Sequence, residues 1–144
     1  MNQNPLIDVL EANRLLRSPH EVAVFEQTLE KLAQNPDPAD LPSLHLILDD
    51  ACEQPEVMFS LVHFLESFDV REQVQAFIQV MPDLVKRSAE WTAILHSRTM
   101  NDDVARSAFD ERVRSMSRQD FLEIQRLLSL VAARQLLKQE SKVA

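Results

Sequence analysis

Six carboxylates crowd the stretch LHLILDDACEQPEVMFSLVHFLESFD, residues 44–69. They are Asp49, Asp50, Glu53, Glu56, Glu66 and Asp69, and no lysine or arginine lies among them. Three chemistries could use them. Paired acids serve acid–base catalysis when one of the pair is desolvated in a cleft. His63 and Glu66, at i and i+3 on a helix, have the spacing found in carboxylate-bridged metal sites. Carboxylates that their neighbours leave unneutralised form a surface that attracts a basic partner.

The first two chemistries lack supporting residues. A carboxylate-bridged metal site needs further ligands projecting inward from facing helices, and only His45 and His96 are obvious candidates. Nothing in the sequence brings them to His63. His63 between Val62 and Phe64, and His45 among Leu44, Leu46, Ile47 and Leu48, read more simply as partly buried imidazoles held by hydrogen bonds. Cys52 is the only cysteine, which excludes an intrachain disulfide and suits a reducing compartment. Asp50 and Glu53 beside it disfavour a thiolate, the opposite of what a reactive cysteine needs. The chain has no glycine. A phosphate loop, a dinucleotide fingerprint and the strand–turn–helix elbow of serine hydrolases are thereby excluded. The sequence therefore predicts no catalysis, no cofactor and no bound metal.

The third chemistry gains from the charge distribution. The net charge is −8 over 144 residues, and it is uneven. Residues 1–85 hold 15 Asp and Glu against 4 Lys and Arg, a net of −11, while residues 86–144 hold 8 against 11, a net of +3. The net charge argues against nucleic acid as a partner, since phosphate binding needs a basic face. The acidic half is the candidate binding half, although a run of acids near a helix end is commonly just solvated. Charge alone seldom supplies tight affinity, so apolar anchors must share such a patch. Phe59 and Met58 are candidates, with core packing as the commoner role for either.

The elements that must position these residues are helices. Apolar residues recur at three- and four-residue spacing, as in Val22, Phe25, Leu29 and Leu32, or Val74, Phe77, Ile78 and Met81. Ser18-Pro19-His20-Glu21 is a helix start, and Asp69 with Glu72 and Ser117 with Asp120 repeat its spacing. Predicted helices run near residues 5–17, 19–34, 41–51, 55–68, 70–81, 88–100, 103–116 and 118–139, with Pro82 ending or kinking the fifth. The fold class is all-α: one domain, residues 1–144, of about seven or eight antiparallel stacked helices, compatible with a short HEAT-like solenoid, with a frayed tail over 139–144. Trp91, Leu95 and Arg98 share a face, which predicts core packing with Arg98 bridging to a carboxylate, or else an interface. Arg118, Arg126, Arg134 and Lys138 form a basic stripe that could meet the acidic half of the same chain or of a second copy, so monomer and weak homodimer both stand. No signal peptide and no membrane-spanning run is visible, which gives a cytoplasmic expectation.

Residues 44–69, together with AEWTAILHSRTMND at 89–102, resemble the immunity protein 30 family of bacterial polymorphic toxin systems. The resemblance covers roughly residues 44–102 and is weak in the flanks. It implies a small helical cytoplasmic inhibitor that binds one cognate toxin and protects the producing cell. Nuclease toxins are basic where they hold phosphate, so the expected partner is a basic, nuclease-like toxin, with no nucleic acid or membrane involved. The expected protein-binding residues are Asp49, Asp50, Glu53, Glu56, Phe59, Glu66 and Asp69. The alternative is a non-catalytic helical-repeat adaptor or regulatory protein-binding module, separated from the first reading by the identity of the partner.

Overall fold

Side-chain caps set the helix starts. In the computed structural model, which describes residues 3–143 and the side chains of 3–140, Asn4, Ser18, Asp69 and Asp102 each accept a backbone N–H of the helix that follows. Ser117 does the same for Asp120. Each such cap satisfies a donor that the first helical turn leaves without a partner. The elements are α1 (Pro5–Ala12), α2 (Pro19–Gln34), a 3-10 turn (Pro38–Asp40), α3 (Leu41–His45), α4 (Pro55–Glu66), α5 (Val70–Met100), α6 (Asp103–Ser115) and α7 (Arg118–Val143). Ala144, the end of the tail expected to fray, lies outside the described residues. No strand occurs among them.

The helices do not simply stack in sequential pairs. α2 packs on α1 and α4, while α5 carries α3, α6 and α7. One apolar cluster runs through all of them, from Ile7 to Val131. Phe25, Leu44, Met58, Leu61, Met81 and Leu84 are fully buried within it. No described helix is long and apolar enough to cross a membrane.

Three local expectations are corrected. The first helix stops at Ala12 rather than reaching Arg17, and Leu16 adopts a left-handed backbone, φ 50°. A leucine there is strained by roughly 1–2 kcal/mol, but its side chain is completely buried. With no glycine in the chain, a buried leucine holds this turn. The Leu15 carbonyl of the same turn accepts from Glu53 N at 2.8 Å.

The second and third corrections share one cause. Helix was expected over residues 41–51, but α3 ends at His45. Pro82 was expected to end or kink the fifth helix, with a new helix starting at residue 88; α5 passes through Pro82, and its break falls at Ser88 (φ −145°, ψ 60°). The two irregular segments are stitched together. The carbonyls of Leu46, Leu48 and Asp49 accept from Arg87 Nη1 (2.7 Å), Ser88 Oγ and Trp91 Nε1 (3.2 Å) respectively. Those carbonyls would otherwise serve a continuing α3. In return, the Asp50 carboxylate accepts from Glu90 N (3.0 Å) and Trp91 N (3.1 Å). It thus caps the second half of α5 from a distant loop, as an N-cap residue would locally.

His45, at the end of α3, is 2% exposed. Its Nδ1 donates to the Leu41 carbonyl at 2.8 Å, since a carbonyl can only accept, and its ring stacks on Phe77 with centroids 6.2 Å apart. Burial pushes its pKa from 6.5 down to about 4.

Two predictions follow from these contacts. Below pH 6.5 the unfolded chain protonates His45 while the native chain does not, until pH nears 4. Stability should therefore be insensitive to this group above pH 6.5 and fall by about 3 kcal/mol in total as pH drops towards 4. Urea midpoints at pH 7.5 and 4.5 should differ less for His45→Asn than for the unmodified chain; an equal drop would contradict the assignment. Asp50→Ala, which orphans two half-buried amides, should cost about 2 kcal/mol in urea unfolding, whereas Glu53→Ala should cost under about 0.5 kcal/mol as a surface change.

Candidate functional site

The expected binding residues divide into those that hold the fold and those that face solvent. Asp49 is 7% exposed. Its carboxylate accepts from Arg14 Nε at 2.8 Å and from Ala51 N at 2.9 Å. Asp50 is committed to the amides of Glu90 and Trp91. Burial raises its carboxyl above the usual range, and those two amides pull it partly back. Asp69 is exposed but caps α5 through Glu72 N. Glu66 holds Arg98 in a two-pronged pair, 2.7 Å on each side. That pair holds Arg98 above its usual pKa.

The two stretches that carry the family resemblance therefore meet along one seam. Asp50 reaches Trp91, Glu66 reaches Arg98, and Phe59 packs edge-on against Trp91 with centroids 5.0 Å apart. Trp91 and Leu95 are buried. The carboxyl half of α4 therefore serves the core on this flank, and Phe59 is half-buried in it. His63 is exposed, 6.4 Å from Phe59 by ring centroids. His96 packs against Phe109, and burial lowers its pKa. No group of three or more metal-ligating side chains is assembled among the described residues. Burial pushes the Cys52 thiol up first, and Asp49 and Asp50 push in the same direction.

Glu53 and Glu56 remain. Both are exposed, at the amino end of α4, and neither forms a salt bridge among the described residues. A groove of about 490 Å³ between the first turns of α2 and of α4 is lined by Val22, Ala23, Val57, Glu26, Gln54 and Arg17, and Glu53 and Glu56 immediately precede Gln54 and Val57 in the chain. Arg17 is spent on Glu21, at 3.0 Å. Glu26 is exposed on the α2 side. It escaped the sequence reading because nothing local says that α2 pairs with α4. Phe59 and Glu66 face Trp91 and Arg98, and Glu56 lies one helical turn before Phe59 on α4.

The Glu53–Glu56 end is thus an exposed acidic edge without a salt bridge among the described residues, with Arg17 near Glu53. It has the make-up of a protein-docking surface: charge to orient a basic partner, and apolar area to hold it. No curated protein and no solved structure matches the chain. A family model described as Immunity protein 30 matches residues 12–109, a span that includes the groove, the seam and Arg98. That span is well over half of the 144 residues, and the chain belongs to the immunity protein 30 family.

Proposed function

We propose that this protein neutralises a cognate bacterial toxin by binding it through the acidic rim of the α2–α4 groove. Family membership supports the immunity role. The observation that carries the choice of surface is the survival of Glu26, Glu53 and Glu56 as exposed carboxylates after the other acids of the stretch have been taken up by Arg14, Arg98 and backbone amides. The partner is basic where it docks, as a nuclease is around its phosphate-binding site. The mechanism is occlusion by a preformed surface and involves no bond-making. The acidic rim speeds the encounter, and the groove floor of Val22, Ala23 and Val57 supplies the area that slows release.

Co-expression with the toxin domain encoded beside the gene tests the role: growth should be rescued and the two proteins should co-purify. Absence of rescue by a folded, expressed chain would favour the adaptor reading. The surface is tested by the triple variant Glu26→Lys, Glu53→Lys, Glu56→Lys. It should keep its helix content and urea midpoint. Its association rate with the toxin should fall about tenfold or more at low salt, with a flatter salt dependence. Unchanged association would remove the rim from the interface. Asp49 and Asp50 are unsuitable for this test, because their reversal breaks the stitch between α3 and α5.

A further inference from the structure

Helix α7 is held to the protein along one face and open along the other. Ile124, Leu127 and Val131 are buried in the core cluster, and Lys138 pairs with Glu90 on the second half of α5. The face turned away carries Leu122, 52% exposed, and Leu136, 62% exposed, with Leu137 beside it. Of the six large apolar side chains that stand exposed among the described residues, five belong to α7. Uncovered leucines gathered on one helix mark an interaction surface.

That surface is complementary to itself when read in opposite directions from Ser129. Leu122 lies seven residues before Ser129, and Leu136 lies seven after it. Arg118 lies eleven before, and Glu140 eleven after. Steps of seven and eleven are close to whole turns of a helix, so these residues share the outward face. Nearer the centre, Gln125 and Arg126 are mirrored by Ala133 and Ala132, a long side chain against a small one in each case. Arg118 and Glu140 are exposed, and neither forms a salt bridge among the described residues.

We propose that α7 pairs antiparallel with the α7 of a second copy of this chain, about a two-fold axis at Ser129. Each leucine at one end then meets a leucine of the other copy, and Arg118 meets Glu140 at both ends. Ser129 and the two alanines at the centre are small, which lets the helix axes approach to the lower part of the usual range of about 8–10 Å. The contact uses the same patch on both copies, so assembly stops at two. A basic toxin does not suit this face, because Arg118 and Arg126 stand on it. A membrane suits it poorly as well: the leucines are confined to the ends, and Gln125 and Ser129 occupy the middle where a lipid-binding helix is apolar.

Sedimentation of the unmodified protein over a range of concentrations tests the pairing, and single cysteines test its direction. The mass should rise with concentration towards twice that of the monomer. On mild oxidation, Ser129→Cys should give a disulfide-linked dimer, while Arg118→Cys, whose two copies lie about 33 Å apart in the antiparallel pair, and the unmodified chain with its buried Cys52 should not. Leu136→Asp, a change at an exposed site, should keep the helix content and abolish pairing. Glu140→Arg should weaken pairing about tenfold, and Arg118→Glu added to it should restore the affinity. A monomer at every concentration, whether or not it binds anionic vesicles, overturns the proposal. Equal cross-linking at positions 118 and 129, or a dimer indifferent to Leu136→Asp, overturns it as well.

Discussion

Two backbone amides in the middle of α5 and one carboxylate from the loop after α3 organise this protein. Asp50 accepts from Glu90 and Trp91, and the carbonyls of its neighbours accept from Arg87, Ser88 and Trp91. The exchange satisfies polar groups on two segments that are both irregular and both buried, where an unpaired group would cost about 1–3 kcal/mol each. It also fixes geometry. The bend at Ser88 aims the second half of α5 at α4, which brings Trp91 onto Phe59 and Arg98 onto Glu66. α6 and α7 both pack on α5, and they meet its first half too, where Arg71 pairs with Glu111.

Much of this architecture is written locally in the chain. The caps at Ser18, Asp69 and Ser117 are legible because a side chain and an amide three residues away suffice. The apolar stripes on α2 and α5 are legible because burial follows the helical repeat. The failures lie where a distant partner decides. Asp49 and Asp50 read as an exposed acidic pair, since the sequence does not reveal that Arg14 and the amides of α5 lie across from them. Pro82 reads as an end or kink, although helix continues through it to Ser88, where a loop carbonyl takes the side-chain donor. The turn at Leu16 gives no signal at all, because a leucine stands where a glycine would announce it.

The same division bears on function. Six carboxylates in one stretch look like one patch, yet the fold sorts them by depth and by the groups they bond. Two are absorbed into the stitch, one caps a helix, and Glu66 is matched by Arg98. The exposed acids of the stretch without a salt bridge or capping bond among the described residues are Glu53 and Glu56, and Glu26 lines the nearby groove from a helix distant in sequence. Under the proposed docking, the acids that hold the fold, Asp49 and Asp50, are distinct from those offered to a partner.

The most direct test of docking at the α2–α4 groove is backbone hydrogen exchange on the protein alone and in complex with the toxin proposed as its partner. The account predicts slowed exchange on complex formation in residues 19–26 and 53–57, at the starts of α2 and α4. Protection confined to α6 and α7, with those two segments unchanged, would contradict it.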